Sequence, residues 1–120
     1  MGCCFGQMMV LPLVQNAAAA PIVCPQAVGT VVSLRVADGY NHISGTIAIV
    51  TAVPAAGGTL SIQFSTNGAN WVESSCVILP ASTSTGAFDE TVRAAYARLV
   101  YTPTGASDQT IRLQGILRQG

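Results

Sequence analysis

The chain has 120 residues, enough for one domain, since a second core would need roughly 100 residues more. Charged residues are 8% against a typical ~25%, and the hydrophobic class reaches 50%, which excludes a disordered acidic or basic chain. Five arginines and no lysine balance five acids, so the net charge is zero and the basic face that phosphate contacts need is missing, arguing against a nucleic-acid partner.

Residues 1–28 carry no charge, contain Pro12, Pro21 and Pro25, and hold neither a 3.6 nor a 2.0 hydrophobic period, which marks an extended apolar arm. Four alanines, Ala17 to Ala20, lie between Asn16 and Pro21, too few to nucleate a helix in water. Gly2-Cys3-Cys4 has the look of an acylated start, but Gly6 stands where the myristoylation pattern wants Ser or Thr. No cation precedes Arg35, so the apolar run Met8–Val14 lacks the charged flank of a signal peptide. Apolar runs elsewhere are cut by Gly, Pro, Ser and Thr well short of the ~20 residues of a spanning helix, so no membrane contact is expected. A domain of this size buries only about two thirds of its unfolded surface, so the arm is expected to find no place on its own chain and to lie on a neighbouring subunit.

From Gly29 the period becomes two, with turn signals at intervals of about ten residues, which predicts an antiparallel β-sandwich or jelly roll over 29–120. Strands are expected at Gly29–Ala37, Asn41–Thr51, Thr59–Thr66, Asn70–Leu79, Ala87–Val92, Tyr96–Thr102 and Gln109–Arg118, about seven in all. Asp38-Gly39 and Pro103-Thr104-Gly105 read as turns, 54–58 as a loop and 80–86 as a Ser/Thr-rich linker. Asn67-Gly68 favours positive φ, so the third and fourth of these strands should form an antiparallel hairpin. Phe88–Tyr101 could start a helix instead, but Pro103 and the alternation over 97–101 favour strand.

The cysteines, Cys3, Cys4, Cys24 and Cys76, lack the C-x₂₋₄-C spacing of a structural zinc site. Spacing alone leaves a Cys24–Cys76 disulfide open, and the preferred reading is buried free thiols acting as small hydrophobes. Neither a metal nor another cofactor is expected.

Titratable groups are few: one His, three Asp and two Glu. His42 with Ser44 and Asp38 could be imagined as a triad, but no G-x-S-x-G elbow supports it, and a surface histidine is the preferred reading. Asp89 and Glu90 point to opposite faces of a strand and cannot share a reaction, while Asp38 and Asp108 fall in turns. The chain is therefore read as no enzyme. Arg without Lys suits contact surfaces, because the planar guanidinium is weakly hydrated and binds bidentately, and Arg98, Arg112 and Arg118 on the last two strands form a candidate contact face. Trp71, just after the hairpin turn, is expected in the core with its indole N–H on a loop carbonyl; exposed, it could stack on a sugar.

The stretch TLSIQFSTNGANWV (Thr59–Val72), followed by ARLVYTPTG and QTIRLQGIL, resembles the small β-sandwich modules of tailed-phage virion proteins, found in head decoration proteins, head fibres and tail appendages. The resemblance covers about half the chain, 59–117, and transfers no catalytic residue. It implies a non-enzymatic structural protein of the virion, a homo-oligomer docking on capsid or other virion proteins as decoration, cement or fibre base. The docking surface would comprise Phe5, Met8, Met9, Val10, Leu11, Leu13, Val14, Ile22 and Val23 of the arm together with Arg98, Arg112 and Arg118. The S-x-[DN]-G-x-x-W ending is shared with carbohydrate-binding and discoidin-like sandwiches, which gives an alternative in which Trp71 and Asn70 grip a glycan on a host surface.

Overall fold

Alternation at period two turns one face of each strand inward, and a computed structural model of the chain shows where those faces meet. It describes residues 10–13, 21–25, 29–50, 57–80, 85–104 and 108–119. The strands are β1 (Val10–Pro12), β2 (Ile22–Cys24), β3 (Thr30–Val36), β4 (His42–Ile49), β5 (Gly58–Ser65), β6 (Val72–Leu79), β7 (Thr85–Thr91), β8 (Tyr96–Pro103) and β9 (Gln109–Arg118). All pair antiparallel, in two sheets. One has the order β3-β8-β5-β6; the other runs β9-β4-β7, with β1 and β2 both on the free edge of β9.

The sheets face each other over a core that the alternation predicts: Ile43, Ile47 and Ile49 from β4, Leu60, Ile62 and Phe64 from β5, Leu99 and Tyr101 from β8, Ile111, Leu113 and Leu117 from β9. Among the described residues there is no helix; 88–101 divides into the end of β7, a bend and most of β8. The expected linker is shorter than its Ser/Thr content suggested, because β7 begins at Thr85, whose partner on β4 is Ala48. Both turns with a described Asx-Gly pair use the glycine at positive φ, 92° at Gly39 and 77° at Gly68.

The arm departs from expectation. Rather than leaving the domain, two of its segments add to it: β1 pairs Val10–Pro12 with Ile116–Arg118, and β2 pairs Ile22–Cys24 with Gln109–Ile111. Leu13 and Cys24 are fully buried, and Leu11 and Ile22 pack against the core from its rim. The reason lies in a glycine pair. Gly45 of β4 stands opposite Gly115 of β9, both on the inward face; a Cβ at Gly45 would strike the Gln114–Gly115 backbone, and the space a side chain at Gly115 would need is taken by Leu13. Leu13 is held there by its N–H donating to Gly115 O (2.9 Å) and by Ser33 Oγ donating to Leu13 O (2.6 Å), which ties the segment to both sheets. Leu13 is thus a core residue of its own chain and not a docking residue, while Phe5, Met8, Met9, Val14, Cys3 and Cys4 lie outside the described residues.

Candidate functional site

The β5–β6 hairpin is shaped by its own side chains. Ser65 Oγ accepts from the N–H of Asn67 (3.2 Å) and of Gly68 (2.8 Å), and Asn67 Oδ1 accepts from Ala69 N (2.9 Å) and Asn70 N (3.0 Å). Such side-chain to backbone bonds replace the ladder bonds that a loop lacks. The loop thereby satisfies its donors locally and delivers Trp71 to the start of β6.

Trp71 does not enter the core. It is half-buried on the outer face of the β3-β8-β5-β6 sheet, where the Arg98 guanidinium carbon lies 4.5 Å from its ring centroid. Cation–π contact of this kind holds both groups in place. Arg98 is further fixed by Nε donating to Gln63 Oε1 at 2.7 Å across the β8–β5 pair. The same register row carries Leu34 on β3, opposite Arg98. Tyr96 pairs with Val36, and a Cβ built on Gly68 would be 3.9 Å from each of three atoms of its ring, so the glycine sits over one ring face. Leu34, Arg35, Val36, Gly68, Trp71 and Tyr96 line a cleft of about 250 Å³. A second depression, about 460 Å³, is lined by Phe64, Asn70, Val72, Glu73, Ser74 and Arg93 among others, and there Arg93 Nε donates to Ser74 Oγ (3.0 Å).

The three arginines expected on one face are separated. Arg98 belongs to one sheet and Arg112 and Arg118 to the other, because the chain crosses the sandwich between β8 and β9. On that second face Asp89 lies 3.8 Å from both Arg118 Nη2 and His42 Nδ1, a loose charge cluster at the surface. His42 is half-exposed and Ser44, two residues on, shares its face, while Asp38 sits in the β3–β4 turn.

Cys24 and Cys76 are both free thiols and differ in setting. Cys24 is inside, and burial pushes its thiol up from 9.0 to about 11 against a smaller opposing hydrogen bond with Thr30. Next to it Tyr101 is raised from 10.0 to about 12, first by burial and then by the Cys24 charge. The Tyr101 hydroxyl donates to Gln109 Oε1, whose amide in turn donates to Gly57 O at 2.7 Å, so the buried polar atoms here are paired. Cys76 is exposed on β6, contrary to the expectation of a buried thiol, because its side chain points out opposite Ser61. Beside it on this edge strand Val72 is 72% and Ile78 68% exposed; on the arm Val23 is 64% exposed.

Pairing register decides which of these residues meet. Gln63, Arg98 and Leu34 are distant in sequence and share a row only once three strands are aligned, so Tyr96, Leu34 and Val36 escape sequence reasoning. Asn70 and Trp71, named together for a glycan, line different depressions, Asn70 the larger and Trp71 the smaller.

No family model and no curated protein matches the chain. A solved structure of Bacillus endospore appendages, described as a novel family of disulfide-linked pili, matches with a TM-score of 0.56 and 16% sequence identity, over 99% of this chain and 96% of that one. The likeness extends through the whole chain and establishes the all-β sandwich as its fold.

Proposed function

We propose that the protein is a non-enzymatic structural subunit that assembles with copies of itself into a polymer carried outside the cell or on a particle surface. The observation that carries this reading is the edge of β6. An outer strand with free backbone groups is a template for pairing, and natural sheets usually blunt it with charge or proline. β6 has one charge, Glu73, and instead presents Val72, Cys76 and Ile78 to solvent. That is an edge suited to being covered.

The appendage to which the fold is similar is a disulfide-linked pilus, which supports a polymer over a soluble monomer; in this reading the exposed thiol of Cys76 cross-links copies. The virion form of the same role, a capsid-associated decoration or fibre base, differs only in partner: the exposed edge would then close on a capsid subunit. With zero net charge, either assembly is driven by apolar burial and varies little with salt.

The test is purified protein followed by light scattering, negative-stain microscopy and non-reducing gels across a concentration series. Filaments or rings that lose covalent ladders under reductant support the reading. A chain that stays monomeric at all concentrations and binds no capsid overturns it, and one that assembles only on a capsid selects the virion form.

A further inference from the structure

The turn between β5 and β6 carries a chemically reactive pair. Asn67 is the asparagine that a glycine follows, whereas Ala17, His42 and Trp71 follow Asn16, Asn41 and Asn70. With no side chain on Gly68, nothing screens its backbone nitrogen from the neighbouring amide. That nitrogen can give up its proton and bond to Asn67 Cγ; ammonia leaves with the proton, and a succinimide ring closes. Water then opens the ring at either carbonyl, leaving aspartate or isoaspartate at position 67. Residues 67–70 are exposed, so solvent supplies the water.

We propose that Asn67 is a site of spontaneous deamidation whose conversion Ser65 holds back. Ser65, buried at the end of β5, engages both reacting groups through one hydroxyl. Its proton goes to Asn67 Oδ1 (3.0 Å), and its oxygen accepts from Gly68 N (2.8 Å) and Asn67 N (3.2 Å). The bond from Gly68 opposes the first step. Losing the amide proton would leave a negative nitrogen facing an oxygen lone pair, since the Ser65 proton is committed to Oδ1, so the protonated amide is favoured. Ring closure is opposed at the other end. Asn67 Cγ must turn toward the Gly68 nitrogen, yet Oδ1 is held by Ser65 Oγ and by the N–H groups of Ala69 (2.9 Å) and Asn70 (3.0 Å). Each such bond contributes modestly, and losing several together slows closure by about tenfold or more. Isoaspartate would add a methylene to the backbone inside this bonded turn, just ahead of Trp71 and β6, so the restraint preserves the hairpin. It acts within one chain, whether or not copies assemble through β6.

Native full-length protein would be incubated at mildly alkaline pH beside the same protein in urea, with conversion at Asn67 followed by peptide mapping and mass spectrometry. Asn41, ahead of His42, serves in the same digests as an internal clock for opening of the whole domain. The expected result is conversion of Asn67 at least about tenfold slower in the native than in the unfolded chain. Ser65→Ala should recover most of that difference while Asn41 keeps its native rate, which a general loss of stability would not allow. Where Ser65→Ala does not fold, Ser65→Cys takes its place, being close in size but a weak acceptor. Equal rates in native and unfolded protein would overturn the proposal. So would a folded Ser65 variant that converts no faster than wild type, and one that converts more slowly would show the serine promoting closure instead.

Discussion

The backbone N–H of Leu13 donates to Gly115 O at 2.9 Å, and the Leu13 side chain takes the space that a side chain at 115 would need: a Cβ built there lies 2.5 Å from Leu13 Cδ1. Two residues a hundred apart in sequence are therefore one packing unit. The glycine at 115 is required because the leucine is present, and the leucine has its place because position 115 carries no side chain.

Leu13→Ala should leave a cavity over this glycine pair, since the surrounding strands are held by their ladders and cannot collapse into it. The expected loss of stability is about 2–5 kcal/mol, the range for a buried leucine truncated to alanine. Gly115→Ala should also destabilise, by forcing Leu13 out and crowding Ser44 O at 2.6 Å. Chemical denaturation of both single variants and the double variant would show non-additivity, the double costing less than the sum, because each change relieves part of the other. Simple additivity would place Leu13 elsewhere.

Sheet content over 29–120 is open to reading because alternation records which face is buried, whereas β1 and β2 are too short to carry a period. β9 was read to its terminal residues, since Ile111, Leu113 and Leu117 alternate with Thr110, Arg112, Gln114 and Arg118. Partners were not open to reading. Gly45 and Gly115 give no periodic signal, so the space over Gly115, and the reason for an apolar residue at position 13, appear only after β4 and β9 are registered. The same holds for the contact face expected of Arg98, Arg112 and Arg118: side-chain alternation is silent on the chain's crossing from one sheet to the other between β8 and β9. Trp71, expected in the core, lies just before β6, where alternation has not begun and does not say which face a side chain takes.

The two described cysteines should differ sharply toward alkylating reagents. Thiolate is the reactive form, so a buried thiol held up at about 11 stays inert near neutral pH, while exposed Cys76 reacts. Iodoacetamide labelling of native protein under reducing pre-treatment, with peptide mapping by mass spectrometry, should modify Cys76 and spare Cys24 until denaturant is added. In assembled material prepared without reductant, Cys76→Ser should remove covalent multimers that depend on this position. Rapid native labelling of Cys24 would mean that β2 opens readily from the edge of β9.

Alkaline pH should unfold the protein earlier than its few charges suggest. Both Cys24 and Tyr101 have folded pKa values above their ordinary ones, so both are neutral acids that the interior prefers to keep protonated. The sign follows from linkage: their contribution is fully present below pH 9, where both folded and unfolded forms are protonated. It is lost as pH rises toward about 11 for Cys24 and about 12 for Tyr101, because the unfolded chain releases these protons first. For Cys24 alone the shift corresponds to about 2–3 kcal/mol. Denaturant midpoints should be flat from pH 7 to 8.5 and fall steeply above 9, and Cys24→Ala should flatten the first part of that fall. A midpoint that is constant through pH 11 would show that neither proton is held.

Trp71→Ala should be mild. A tryptophan in the core costs about 3–5 kcal/mol when truncated. Here the indole lies half-buried on the outer face, and what truncation removes is its contact with Arg98, worth about 0.5–1 kcal/mol at such a site, and partial cover for Leu34 and Val36. A total on the order of 1 kcal/mol is expected, because Arg98 keeps its bond to Gln63 and the hairpin keeps its Ser65 and Asn67 bonds. Arg98→Ala should cost a similar amount, and the double variant little more than either single one, since the two side chains lose the same contact. Acrylamide should quench the wild-type emission readily, and more so in Arg98→Ala, where one ring face is uncovered. A loss above 3 kcal/mol with weak quenching would return the indole to the interior, and the cleft on the outer face would lose its wall.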